Sequence, residues 1–420
     1  MSLKPDNLIA PEVHHCSKCG ACLHVCPVYL QKMEEGVSPR AKVQLTRHYA
    51  EKNLVTSSHL NSLVNHCLMC GNCTAACPSG VQHQSLFMRM RSYMATDHGE
   101  GWHLKALYHF LSHEQQLRLV SRFARLGRNH MLEQVPREFK IGKIPAKRLP
   151  KFNKQPFREQ AVEKIAPEIQ SRGTILYFTG CGTNYLYEQV GHALCHILKI
   201  MGFQVEIPRS QVCCGLPMFI HGNMEKAAAN IKTNIKLFNR KDIVAVVTDC
   251  ATCGSALHKE YGIVLEELGL ATGEAEELGS KVRDIGEFIL ANFSLLEPHM
   301  DPCATRQKVT YHMPCHLRNG QGVTTEIEAL LKRLPHVDYT RAADYDHCCG
   351  GGGTFFYDHP ETSHQIVSRK IKNAIATGAD TWITGCPGCS INLSGNLQES
   401  DNITVEHILL LIEQGLNKQG

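Results

Sequence analysis

The feature that most narrows what this chain can fold into is a cysteine pattern written twice. Residues 16–27 read CSKCGACLHVCP and residues 67–78 read CLMCGNCTAACP, so each cysteine of the first string recurs 51 positions later. A longer repeat follows. Cys181, the pair Cys213 and Cys214, and the pair Cys250 and Cys253 return as Cys315, Cys348 and Cys349, and Cys386 and Cys389, at offsets of 134, 135 and 136 residues. So small a drift means two similar folds that differ by a short loop change. The chain holds 20 cysteines in 420 residues, and a chain of that length does not need disulfides to stay folded. The cysteines are there for chemistry.

Three cysteines at i, i+3 and i+6 wrap one loop around a cube, and a fourth, followed by proline, leaves at i+10. This is the C-x2-C-x2-C-x3-C-P spacing of ferredoxins, whose fourth cysteine ligates the other cluster. It predicts two [4Fe-4S] clusters, one held by Cys16, Cys19, Cys22 and Cys77, the other by Cys67, Cys70, Cys73 and Cys26. Zinc is the alternative, but zinc sites usually bring two separated ligand pairs to one tetrahedral ion. Gly20 and Gly71 suit a loop whose backbone N–H groups approach the sulfides.

Composition excludes several classes. Forty-four Lys+Arg against 40 Asp+Glu leave a net charge of +4, and only 20% of residues are charged, which is no nucleic-acid signature. The start, MSLKPDNLIAPEVHH, carries no apolar signal core, and no twin arginine occurs, so the expected location is the cytoplasm. The longest uncharged stretch, Thr381 to Gln398, is rich in Gly, Ser and Asn, so any membrane contact is expected to be peripheral.

Around Ser85 to Thr96, Leu86, Phe87, Met90 and Met94 fall at helical spacing, which predicts a helix whose methionines pack in a core rather than line a quinone or partner face. From Arg137 to Arg158 eight basic residues stand against Glu138 alone, broken by Pro145, Pro150 and Pro156. That reads as an exposed linker; docking on an acidic partner or an anionic lipid surface is the other reading, with Lys147, Arg148 and Lys151 as its candidates. Beyond it, short apolar strands alternate with helices: GTILYFTGC, FQVEI and IVAVVTDC in one unit, KVTYHMPC and DTWITGC in the next. Cys181, Cys250, Cys315 and Cys386 then lie just past strand ends, where open α/β sheets gather their ligands. The terminal ITVEHILLLIEQGL is expected to be one amphipathic helix.

The patterns C-x31-CCG-x34-CATC from Cys181 and C-x32-CCG-x35-CPGC from Cys315 resemble the CCG domain found twice in the catalytic subunit of methanogen heterodisulfide reductase. A ferredoxin pair followed by two such domains is similar to the iron-sulfur subunit of glycolate oxidase, to its counterpart in anaerobic glycerol-3-phosphate dehydrogenase and to the fused heterodisulfide reductase subunit. SPRAKVQLTR, CPSGV, GCGTNYLY, YHMPCH and CCGGGGTF tilt the likeness toward the glycolate oxidase type. The resemblance implies an α+β multidomain fold: a helical two-cluster ferredoxin-like domain (residues 1–135), the basic linker (136–172) and two repeated α/β CCG domains (173–300 and 301–420). It also implies a noncubane [4Fe-4S] cluster in each CCG domain, on Cys181, Cys213, Cys214, Cys250 and Cys253, and on Cys315, Cys348, Cys349, Cys386 and Cys389. One cubane cluster or a zinc ion per domain with a spare thiol fits the same residues.

Proteins of this type move electrons from a separate FAD-dependent dehydrogenase subunit that oxidises a 2-hydroxy acid, glycolate or D-lactate, toward a quinone or another carrier. A peripheral place on the cytoplasmic face of the inner membrane goes with it. The rival is a catalytic subunit that reduces a disulfide at the CCG clusters. No flavin or nicotinamide fingerprint is present, and no catalytic side chain is singled out. Cys195 and Cys303 remain. Cys195 lies between His192 and His196, an i, i+4 pair that fits a metal or, more plainly, a packed cysteine beside surface histidines. His221, His312, His316 and His347 are expected to donate hydrogen bonds or carry protons near the CCG cysteines, and Gly350 to Gly353 to let backbone approach a cluster.

Overall fold

The computed structural model describes residues 13–99, 101–132, 139–141 and 144–417. From residue 13 to residue 132 the described chain is helical around the cysteine loops. Ser38 opens the helix Pro39–Ala50, its Oγ accepting from Ala41 N at 3.1 Å, and Pro39 takes the first helical position, where its missing N–H costs nothing. The expected methionine helix runs from His83 to His98, with Leu86, Phe87, Met90 and Met94 all buried.

The linker differs from the expected exposed connector. Arg137, Glu138 and Lys143 lie outside the described residues. Strands β1 (Lys140–Ile141) and β2 (Ile144–Pro145) pair antiparallel, and from there the chain is pinned to the protein. Phe157 is fully buried, its ring 2.8 Å from where a Cβ on Gly191 would stand. Arg158 is buried too, donating through Nη1 to Gln211 O at 2.7 Å and through Nη2 to Glu114 Oε1 at 2.6 Å. Lys151 and Lys154 stay exposed. An aromatic followed by a paired arginine anchors the segment, which charge counting alone misses.

Two parallel sheets follow. In the first, β3 (Lys164–Ile165) is an antiparallel edge beside β4 (Thr174–Tyr177), β5 (Gln204–Glu206), β6 (Ala245–Thr248) and β7 (Val282–Asp284), in the order β3-β5-β4-β6-β7. In the second, β8 (Gln307–Tyr311), β9 (Val337–Tyr339), β10 (Thr381–Thr384) and β11 (Thr404–His407) stand in the order β9-β8-β10-β11. Apart from the extra edge strand, both sheets take their own strands in the order second, first, third, fourth. Strand order reverses between the first and third strands, the switch point where open sheets bind ligands. Strand β11 corrects one expectation: the terminal segment begins as a strand paired with β10 and turns helical only from Ile408 to Gln414.

The two halves pack through helices that start at their cysteines. Helix Ala251–Ser255 crosses helix Cys315–Gln321 so closely that a Cβ on Gly320 would lie 1.8 Å from Ser255 Oγ, and one on Gly254 2.4 Å from Gln321 Oε1. The reciprocal pair, Cys181–Tyr185 with Pro387–Asn396, meets where a Cβ on Gly182 would lie 2.5 Å from Pro387.

Candidate metal centres

In the helical part, the offset of 51 recurs in the backbone. Lys18 and Met69 have φ of +60° and +54°, Gly20 and Gly71 of +86° and +77°, so both cysteine loops curl the same way around their centres. One cavity is lined by Cys16, Cys19, Cys22 and Cys77, and a second by Cys26, Cys67, Cys70 and Cys73. Each fourth cysteine thus stands with the other loop's three. Cys19 is exposed; burial pushes the Cys22 thiol up to about 11, and burial followed by repulsion from neighbouring thiols raises Cys70 and Cys73. Thiols so placed resist ionising alone, and a shared cation offsets that cost.

Two buried cations beside the second set escaped the sequence reading. Lys42 donates from Nζ to Val37 O at 2.5 Å, and burial lowers its pKa against the pull of Cys67 and Cys26. Arg91 donates to Cys67 O at 2.8 Å and to Ile220 O at 2.6 Å. Both lie in strings that drew attention for other reasons, SPRAKVQLTR and the methionine helix; nothing in a spacing marks a lysine or arginine as turned inward.

The ten later cysteines form one unbroken series. In the first α/β unit Cys181 meets Cys213, Cys213 meets Cys214, Cys214 meets Cys253 and Cys253 meets Cys250. The second unit repeats it: Cys315 to Cys348, Cys348 to Cys349, Cys349 to Cys389 at 3.3 Å between sulfurs, and Cys389 to Cys386. Cys250 then meets Cys386, joining the two. In each unit the second cysteine of the adjacent pair faces two thiols, whose proximity draws Cys214 down to about 5 and Cys349 well below the usual thiol range. Cys181 and Cys315 open helices and Cys250 and Cys386 cap them; Cys315 and Cys386 are lowered there, while Cys181 and Cys250 are raised by their neighbouring thiols and burial.

The second unit also touches the helical part. Cys70, Cys315 and Cys348 share a buried cluster, and Asn319 Nδ2 donates to Cys70 O at 2.7 Å. At the other extreme Cys181 is exposed at its residue while its sulfur turns to Cys213.

The histidines divide. His312 is fully buried, with one ring nitrogen, Cys349 Sγ and Cys389 Sγ all within 4.8 Å of one another, and burial lowers its pKa. His316 Nδ1 lies 3.2 Å from Thr252 Oγ1; burial lowers its pKa, but the charges of Cys315, Glu260 and Cys386 together outweigh burial and raise it. The other two have oxygen partners: His347 pairs with Asp344 at 3.7 Å, and His221 with Thr354 at 2.9 Å. The Gly350 N–H donates to Cys348 Sγ at 3.4 Å, whereas a Cβ on Gly352 would lie 2.6 Å from Leu68, so the glycine run serves both cysteine approach and docking on the helical part. His192 bonds Gln160 and His196 bonds Glu413, so the pair shares no ligand, and Cys195 between them is buried. Cys303 is exposed, its N–H bonded to Asp301.

These loops and sheets define an iron-sulfur protein with a ferredoxin-like part and a duplicated cysteine-rich part. The 4Fe-4S dicluster domain family matches residues 12–81, and the cysteine-rich domain family CCG matches residues 175–258 and 309–394. At full length the chain is 26% identical to the glycolate oxidase iron-sulfur subunit of Escherichia coli (strain K12), over 100% of this chain and 97% of that protein. It is 25% identical to a subunit of the dihydromethanophenazine:CoB–CoM heterodisulfide reductase of Methanosarcina acetivorans, over 99% of this chain and 97% of that one. With lactate utilization protein A 1 of Bacillus anthracis it shares 28% identity over 57% of this chain and 98% of that one. The chain carries both domain families, and over its full length it is similar to iron-sulfur subunits of the glycolate oxidase type. Among the described residues no helix is long and apolar enough to cross a membrane.

Proposed function

We propose that this chain is the electron-transfer subunit of a complex whose FAD-dependent partner oxidises glycolate or D-lactate, and that it delivers the electrons to a quinone or another carrier from the cytoplasmic side. The clusters supply the redox chemistry, each accepting and releasing one electron. Cys16, Cys19, Cys22 and Cys77 hold one cubane cluster, and Cys67, Cys70, Cys73 and Cys26 the other. Cys181, Cys213, Cys214, Cys250 and Cys253 hold a third, and Cys315, Cys348, Cys349, Cys386 and Cys389 a fourth. The helical domain ends near residue 135, and the CCG domains begin near 173 and 301. Lys42 and Arg91 offset the negative charge of the second set, and His316 that of the second CCG set, with His312 beside it as a neutral imidazole.

The observation that carries the reading is the continuous order of thiols, with Cys70 beside Cys315 and Cys250 against Cys386. Four centres are thereby met in one line, whose ends, Cys19 and Cys181, are exposed. The test is iron per chain after anaerobic purification, with EPR of oxidised and reduced protein. About sixteen irons with signals beyond two cubanes support four centres; about eight confine redox chemistry to the helical domain and overturn the line.

A second reading, a disulfide-reducing subunit, is favoured by the contact of Cys250 with Cys386, which sets the two CCG cysteine groups against each other. Loss of disulfide reduction in Cys348→Ser, with the cubane EPR signals intact, supports it. Loss of dehydrogenase-linked transfer with no effect on any disulfide counts against it.

A further inference from the structure

Helix Glu114–Leu126 is amphipathic and turns an apolar stripe outward. Another edge meets the protein, with Leu117 packed against the core. Glu114 Oε1 accepts from Tyr185 Oη and Arg158 Nη2, both at 2.6 Å, Ser121 is buried, and Arg118 pairs with Glu159 at 3.0 Å. The apolar side meets solvent, with Leu119 56%, Phe123 69% and Leu126 57% exposed, and Met131 just beyond is 68% exposed. A contiguous apolar stripe turned outward, while another edge of the helix is used for docking, marks a surface that something else covers.

We propose that this face lies on an anionic lipid surface, with Leu119, Phe123 and Leu126 entering the boundary between headgroups and acyl chains. Charge selects lipid over a protein partner. Between Gln115 and Arg158 the sequence has twelve Lys and Arg against two acidic residues, Glu133 and Glu138. Of these, Lys140, Lys151 and Lys154 are exposed, as are Arg118 and Arg122, which share Glu159 at 3.0 and 3.8 Å. An apolar stripe beside a basic field is the two-signal arrangement that holds a helix flat on an anionic bilayer, since either signal alone binds weakly. The inference depends on neither the substrate nor the number of clusters.

The test is co-sedimentation of the anaerobically purified full chain, in its iron-loaded form, with vesicles of phosphatidylglycerol and phosphatidylcholine or of phosphatidylcholine alone. Binding is expected to the anionic vesicles, weakening as salt rises, and to fall by about tenfold or more in the Phe123→Ser, Leu126→Ser double variant with iron content unchanged. A wild-type chain that ignores anionic vesicles overturns the proposal. So does a double variant that sediments like wild type; if that variant also parts from the co-expressed flavoprotein, the face belongs to a subunit interface. Should the double variant misfold, Leu119→Trp gives a second readout: a blue shift of its emission on adding anionic vesicles supports insertion, and an unmoved spectrum refutes it.

Discussion

The two CCG domains share a cysteine scaffold down to the order in which the sulfurs meet, yet they surround it differently. Three residues before its first cysteine, the first domain has the fully buried Phe178 and the second the fully buried His312. Behind the adjacent cysteines, the first domain's helix Met224–Phe238 turns in Asn230 and Asn234, whose amides bond Cys213 O at 3.0 and 3.3 Å. The equivalent helix Pro360–Ile375 instead turns in Lys370, bonded to Asp344 O at 2.5 Å and pulled by Cys349 and Cys348, with burial lowering its pKa to about 8. A buried lysine is tolerated only where negative charge stands close by. The duplication thus kept the ligands and diverged in charge: the centre beside the ferredoxin-like loops is set in cations, and the outer one in neutral amides and an aromatic ring. Such a difference makes one centre easier to reduce than its twin.

Cutting the series at equivalent points gives the largest effect. Cys348→Ser and Cys213→Ser should each cost about four irons if each domain holds a four-iron cluster. Their consequences should differ. With Cys348 gone, reductant supplied at the Cys19 end should no longer reach the first CCG centre; with Cys213 gone, the other three should still reduce. Freeze-quench EPR after a reductant pulse distinguishes them. Identical behaviour of the two variants would abolish the idea that the centres lie in one line.

Charge should give a smaller, graded effect. Lys370→Met removes the cation behind the second centre and should lower its potential by on the order of 50 mV, close to a tenfold change in a one-electron equilibrium. His312→Phe, which copies the first domain, should act in the same direction and less strongly. Spectroelectrochemical titration that finds both CCG potentials unmoved, or the wrong one shifted, would detach these side chains from the centres.

Much of this was legible in the cysteines. Their spacing implied both the cross-paired cubane sets and the duplication, and Cys181, Cys250, Cys315 and Cys386 do follow strand ends. Where reading failed, two structures shared one pattern. The apolar run from Ile403 suits a helix, but β10 offers Thr404–His407 a parallel edge, and pairing overrides the period. The basic linker was misread because Phe157 and Arg158 anchor it through contacts 34 to 53 residues away, with Gly191, Glu114 and Gln211. Lys42, Arg91 and Lys370 were invisible as buried cations because a lone Lys or Arg is ordinarily solvated, and only the fold reveals which one points inward.

The fourth strand of each domain carries the finest contrast. Strand β7 ends at Asp284, which caps helix Ile285–Ala291 by accepting from Gly286 N at 2.9 Å, whereas β11 ends at His407, which caps helix Ile408–Gln414 by accepting from Leu409 N at 3.3 Å. Burial drives both toward their neutral forms, raising Asp284 to about 7 and lowering His407. The signs for stability are therefore opposite. An acid whose folded pKa exceeds its unfolded value contributes stability present below that unfolded value and lost as pH rises toward about 7; a base whose folded pKa is depressed contributes stability present above its unfolded value and lost as pH falls. Asp284→Asn keeps a capping side chain at every pH and removes the acid's share, so the fall in unfolding midpoint from about pH 5 to about pH 8 should flatten by the equivalent of roughly 1–3 kcal/mol. Parallel midpoint curves for wild type and Asp284→Asn would mean that Asp284 stays ionised in its buried cap, and that the two domains answer pH alike.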